Sequence, residues 1–271
     1  MQLKLTSQQE TGLRPLLEAA QRTEFYGTWL ETIATPLSRC LDLLPHVECR
    51  HFDENREAFR NPRSGRLRQP EFRYPLQPSP KILMLLEGFQ RSGSVRNVFD
   101  LGPSGVAGSK ADTLAAPVSV LRSMAGIAGP QRYPVVAFTG VRHGTLTEAD
   151  RELFWKSFRV PVFEQFLGLS NELVAEECEA HEGLHVREEE TIIELRGGEL
   201  VFTPLSALAY PVLRIATGCT ARPERSLCAC GRAGLRLMEI VPVAKVRGAH
   251  EVRGAHEVRG AHKARGAAAA W

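Results

Sequence analysis

Between Pro134 and Leu167 the apolar pattern changes period twice, and this restricts the fold more than any other stretch of the chain. Pro134-Val-Val-Ala-Phe-Thr139 is a short apolar run ending at Gly140, the signature of a buried strand. Thr147-Glu-Ala-Asp150 has the form of a helix start, and the spacing predicts a helix from there through Phe158. Val160 to Leu167 reads as the next strand. A strand–helix–strand order predicts parallel strands with a right-handed crossover, so the chain is expected to be α/β. In open sheets of this kind ligands sit beyond the carboxyl ends of the strands. The turns Thr139–Gly144 and Gly168–Glu172 should therefore lie side by side at one such edge.

The flanking stretches extend this pattern. Ser7-Gln-Gln-Glu10 has the form of a capping box, and Leu13, Leu16, Leu17 and Ala20 follow at helical spacing. A second periodic segment, Leu37 to Leu44, stops at Pro45. Asn61 to Pro80 is rich in Pro and Arg and reads as a linker or surface loop. The apolar run Lys81–Phe89 follows. Gly102 to Lys110 fails the phosphate-loop spacing and reads as a surface loop. Ala116 to Ile127 reads as a helix with Pro117 at its start. Thr191–Leu195 and Glu199–Leu205 flank Arg196-Gly197-Gly198, a hairpin signal, and Val212–Thr217 reads as a further strand. From Val246 the sequence repeats VRGAHE, VRGAHE, VRGAHK before an Ala-rich end, a tract too short to stack into a solenoid. The division is then a helical segment over 1–62, a linker over 63–80, an α/β core over 81–241 and a low-complexity tail over 242–271.

Charge and cysteine usage narrow the partners. In the tail, Lys245, Arg247, Arg253, Arg259, Lys263 and Arg265 outnumber Glu251 and Glu257 by four, so the formal +3 leaves the rest of the chain at −1. A near-neutral body gives no reason to expect nucleic acid as a partner. No apolar run is long enough to span a bilayer, and Met1 to Glu10 lacks the pattern of a secretory signal. Six cysteines in 271 residues point to thiols or metal ligands in a reducing compartment, so the expected location is the cytoplasm.

Four of those residues form a constellation. Cys178-x6-His185 and Cys228-Ala-Cys230 offer three sulfurs and one nitrogen, the donors that Zn²⁺ prefers in a closed tetrahedral site. The Cys-x-Cys spacing is tighter than usual, and Gly231 would ease the turn. Four protein ligands leave no open position, so such a zinc would be structural. Four unrelated residues, two of them ordinary thiols, is the competing reading, and His181 competes with His185.

The motifs around this constellation have a recognisable order: LGLSN at 167–171, Glu177-Cys178 with GLHV at 183–186, GELVFTPLSALAYPVLRIATG at 198–218, and CACGR at 228–232. This order resembles the phenylacetate–CoA ligase branch of the adenylate-forming enzymes, and RPLLEAAQRTEFYGTWL onward to Pro62 is similar to that family's helical entry segment. The resemblance implies a reduced adenylate-forming α/β core that activates a small carboxylic acid with ATP and magnesium and passes it to CoA. It implies a nucleotide site at Thr139, Gly140, Gly168, Leu169, Ser170, Glu172, Thr217 and Gly218. It also implies zinc at Cys178, His185, Cys228 and Cys230, with GLH selecting His185 over His181.

The departures from that pattern bear on activity. The adenine-stacking aromatic and the magnesium-holding acid fall, without a gap, on Leu167 and Asn171, with Phe166 and Glu172 each one residue away. Cys219 stands where the ribose-binding acid belongs. The family's phosphate loop and terminal lysine domain have no recognisable counterpart. Two expectations follow: an acid–CoA ligase with impaired or lost activity, and a non-catalytic, zinc-stabilised binding or scaffold relative.

Overall fold

The computed structural model describes residues 4–31, 33, 36–64, 72–77, 80–87, 95–97 and 110–243. The Gly102–Gly108 glycines and the repeat tract from Val246 lie outside the described residues. Two sheets organise the chain. In the larger, β3 (Val95–Asn97), β2 (Ile82–Met84), β4 (Thr113–Pro117), β5 (Val135–Gly140) and β6 (Val162–Leu167) are neighbours and run parallel. The sheet continues antiparallel through β7 (Leu173–Glu177), β8 (Leu184–Val186), β13 (Arg236–Pro242) and β12 (Cys219–Glu224). The smaller sheet has the order β1 (Val47–Glu48), β11 (Ile215–Ala216), β10 (Glu199–Pro204), β9 (Thr191–Arg196). The architecture is therefore mixed α/β.

The unit from Pro134 to Leu167 folds as its periods dictate. The helix Glu148–Phe158 starts at Thr147, whose hydroxyl accepts from Asp150 N while Asp150 returns the bond. It ends at Arg159, which takes the left-handed conformation. β5 and β6 pair in parallel from Val135↔Val162 to Gly140↔Leu167. The hairpin of β9 and β10 turns at Gly197 and Gly198, both at positive φ, as a two-residue turn requires.

Several boundaries differ from expectation for identifiable reasons. Ala116 and Pro117 finish the buried strand β4, and the helix begins one residue later, covering Val118–Met124. The first capping box uses Thr6 and Gln9, because the Gln9 amide also reaches Glu188 O and Thr191 O. Only Ile215–Ala216 of the Val212–Thr217 run is extended enough to pair; Arg214 before it sits at φ 55°. Within the stretch read as linker, Tyr74 donates to Pro134 O and Phe72 packs edge-on against Phe138.

The N-terminal helices share one core with the smaller sheet. α1 (Ser7–Gln21), α2 (Glu24–Gly27), α3 (Leu37–Leu43) and α4 (Cys49–Glu54) bury Leu13, Leu16, Leu17, Tyr26, Leu41 and Phe52 against Phe202, Leu213 and Ile215. Each such side chain contributes about 1.5–3 kcal/mol on burial. Tyr26 fixes the docking, donating to Leu213 O and accepting from Leu213 N at 2.9 Å. Burial pushes its phenol well above the usual range, so it stays neutral.

Candidate functional site

The turns after β5 and β6 are stitched together at the sheet edge. Gly140 has φ 126°, and a Cβ there would lie 2.1 Å from Leu167 O, so only glycine allows this approach. Arg142 Nε donates to Leu169 O at 2.9 Å, and its two terminal nitrogens grip the Asp53 carboxylate from α4. His143 Nε2 lies 3.2 Å from Asn171 Oδ1, and Asn171 Nδ2 donates to Glu87 O. Asn171 stands at φ 62°, a conformation Asn tolerates better than most residues. The structure thus brings Gly140, Gly168, Leu169, Ser170 and Glu172 together.

Side-chain direction at this edge separates the residues by role. Thr139 is completely buried, and its hydroxyl donates to Glu164 Oε1 at 2.7 Å, beneath the edge. Leu167 is buried among Val136, Phe138 and Leu173, whereas Phe166 enters the other core and meets Phe202 edge-on. Adjacent strand residues face opposite sides, so Phe166 does not take over the place of Leu167. Glu172 folds back on its own turn and accepts from Ser170 N at 2.8 Å. Burial raises its carboxyl above the ordinary value against the pull of these hydrogen bonds and Arg142.

Thr217 and Gly218 sit at the end of β11. Thr217 Oγ1 donates to Leu200 O, and Gly218 N donates to Glu199 Oε1 at 2.7 Å. Cys219 opens β12, buried, with its N–H on Thr217 Oγ1. Burial pushes its thiol up, so it stays protonated at neutral pH.

The Cys/His residues form a compact cluster. Cys178 follows β7, His185 lies within β8, and Cys228 and Cys230 occupy the turn between β12 and β13. Their four donor atoms all lie within 4.8 Å of one another. Cys178 Sγ to Cys228 Sγ and Cys230 Sγ to His185 Nε2 are both 3.6 Å. A tetrahedral zinc with ordinary bond lengths needs ligand–ligand separations of about 3.5–3.8 Å. Gly231, at φ 83°, closes the turn by donating to Cys228 O. Burial and then Arg232 and Arg236 depress His185, leaving a neutral imidazole. Cys230 falls to about 7, because hydrogen bonding from Arg232 and the neighbouring thiols outweighs the burial that opposes it. Donor set and spacing fit a closed metal site. His181 lies elsewhere, with Nδ1 3.0 Å from Glu177 Oε1 and its ring over Phe163.

A polar ladder that the sequence did not reveal runs beneath the edge. Glu164 Oε2 lies 3.4 Å from Arg151, which also pairs with Glu177 at 3.0 Å. Glu177 in turn accepts from Glu164 N at 2.7 Å. Burial pushes the Glu164 carboxyl up to about 7, opposed by Thr139 and Arg151 and reinforced by Glu177. A carboxyl raised on folding contributes stability below its unfolded value, about 4.3, that is lost as pH rises through the folded value. Glu164→Gln keeps an acceptor for Thr139 and does not ionise. Its melting temperature should match wild type near pH 4 and exceed it by several degrees near pH 8, a gain of roughly 3 kcal/mol. A pH-independent difference in thermal melts would refute this.

No protein-family model matches the sequence, and no curated protein matches it. The fold does have solved counterparts. 2-Hydroxyisobutyryl-CoA ligase in an open conformation, in complex with 2-HIB-AMP and CoA, superposes with TM-score 0.62 at 12% identity, over 84% of this chain and 67% of that one. In the postadenylation state with 2-HIB-AMP the values are 0.60 and 13%, over 93% and 71%. The thioesterification state gives 0.59 and 12%, over 88% and 69%. At such identity the likeness is one of fold: this chain shares the fold of these adenylate-forming acyl-CoA ligases.

Proposed function

We propose that this chain is a phenylacetate–CoA ligase-like protein of the AMP-forming acyl-CoA ligases whose activation of a carboxylic acid is impaired or lost, and that Cys178, His185, Cys228 and Cys230 hold one structural zinc ion. The ligands of the parent chemistry are ATP with magnesium, a small carboxylic acid and CoA. The observation that carries the reading is Cys219, a buried neutral thiol where the resemblance places the ribose-binding carboxylate. A thiol hydrogen-bonds only weakly, and losing hydrogen bonds to a charged group costs roughly 1.5–3 kcal/mol, about ten- to a hundredfold in affinity. Leu167 offers no aromatic face, and the Thr139 hydroxyl is spent on Glu164. No disulfide joins any of the six cysteines, in keeping with a cytoplasmic setting.

ATP–pyrophosphate exchange across a panel of aromatic and fatty acids tests this. Wild type should show no exchange, and Cys219→Asp should tighten AMP binding by about tenfold. Acyl-CoA formation by wild type, abolished by altering Ser170, would restore a competent enzyme. The second reading, a non-catalytic binding or scaffold domain, is favoured by the closed four-donor cluster, which offers a substrate no coordination position. It is the one that stands if Cys219→Asp, correctly folded, binds no AMP.

A further inference from the structure

Arg214 is buried, and its guanidinium is divided among four partners. Nη1 donates to Leu41 O and Leu44 O, carbonyls at the end of α3. Nε lies 3.2 Å from Glu194 Oε1, and Nη2 lies 2.9 Å from His46 Nε2. A guanidinium has no acceptor, so Nε2 must accept, which fixes His46 as neutral with its proton on Nδ1. His46 immediately precedes β1, which pairs with β11 in parallel, and Val47 N donates to Arg214 O at 3.0 Å. One imidazole lone pair therefore sits where α3, β1 and β11 meet.

A proton on Nε2 would set N–H against N–H and a second cation beside a buried guanidinium. Arg214 and Arg196 oppose that charge, while Glu194 and Glu199 favour it. Those carboxylates are already engaged: Glu194 by Arg196 and Arg214, Glu199 by Gly218 N–H. Arg196 is also held by Asp42 of α3. His46 is exposed on its outer side, and partial desolvation of its inner face, followed by Arg214, holds it below the ordinary imidazole value, so its titration falls on the acid side of neutrality.

We propose that His46 is an acid-sensitive latch that joins the N-terminal helical layer to the strand leading into Thr217 and Gly218: neutral, it locks α3 and β1 onto β11, and protonated, it lets them part. The latch rests on hydrogen-bond geometry and is independent of nucleotide binding. Hydrogen exchange on the full chain tests it, with rates corrected for intrinsic pH dependence. Between about pH 7.5 and 5, protection of the Leu44 and Val47 amides should fall about tenfold in wild type. In His46→Gln it should stay level, because the glutamine Oε1 accepts from Arg214 at every pH. Equal loss in the variant, or level protection in wild type, would overturn the latch. Should His46→Gln not fold, ¹⁵N NMR of the wild-type imidazole decides. A proton on Nδ1 near neutral pH that is joined by one on Nε2 as protection falls supports it; a neutral ring carrying its proton on Nε2 ends it.

Discussion

Removing the proposed zinc from Cys178, His185, Cys228 and Cys230 is expected to lower the melting temperature by more than about ten degrees, the effect of losing roughly 5 kcal/mol in a chain of this size. The purified protein should carry about one equivalent of zinc, and Cys228→Ser should lower both the metal content and the melting temperature. The reason lies in what the cluster joins. It ties the end of β7 and the middle of β8 to the turn between β12 and β13. That turn has little apolar content to bury: Leu227 is 69% exposed, and Leu235 at the far end is the main buried contact. Its remaining ties are polar, such as Arg236 on Glu182 and Arg225 on Glu188, and the latter is largely exposed and worth at most about 1 kcal/mol. Cys49→Ser, outside the cluster, is the control and should shift the melt little. Zinc-free protein by elemental analysis, with an unchanged melt in chelator, would remove the metal from the account.

What the sequence could and could not show follows from the range of each interaction. The helix Glu148–Phe158 is legible to the residue because its start is encoded within four positions, Thr147 and Asp150 capping each other. β4 is not, because Thr113-Leu-Ala-Ala-Pro117 has no strong strand preference; parallel neighbours on both sides, β2 and β5, make it a strand. β12 and β13 went unread for the same reason: a run such as Cys219-Thr-Ala-Arg-Pro-Glu224 becomes a strand only by pairing with residues 236–242. The Thr6/Gln9 and Ser7/Glu10 boxes are equal as local patterns, and a contact to residues 188 and 191 decides between them.

At the sites the same division holds. The spacing of three cysteines and one histidine named four residues whose donor atoms the fold gathers. Topology alone placed the two turns side by side. It carried no information on where Thr139, Phe166 and Glu172 point: Thr139 and Phe166 turn into the interior, and Glu172 turns onto its own loop. The Glu164–Arg151–Glu177 ladder is invisible in sequence because its partners stand 13 and 26 residues apart on three elements. Nothing marks them as partners until β6 and β7 pair and the helix crosses them.

Gly140→Ala should be among the most damaging single substitutions in the chain. The new Cβ would lie 2.1 Å from Leu167 O and 3.0 Å from Leu167 N, against backbone that no rotamer change can move aside. The residue also sits at φ 126°, a region that L side chains rarely adopt. Relief requires β5 and β6 to separate at the end where Gly140 pairs with Leu167. Strain and lost pairing together should cost about 3–5 kcal/mol, a fall in melting temperature of roughly 6–20 degrees. Gly144→Ala isolates the backbone contribution, since φ is 76° there but nothing lies within 4 Å of the added carbon. That variant should lose only about 1 kcal/mol. The difference between the two melts combines the crowding of the turns at the candidate nucleotide edge with the larger backbone cost of φ 126°. Similar losses in both variants would mean that the approach of Gly140 to Leu167 is loose in solution, and the packed edge described above would have to be abandoned.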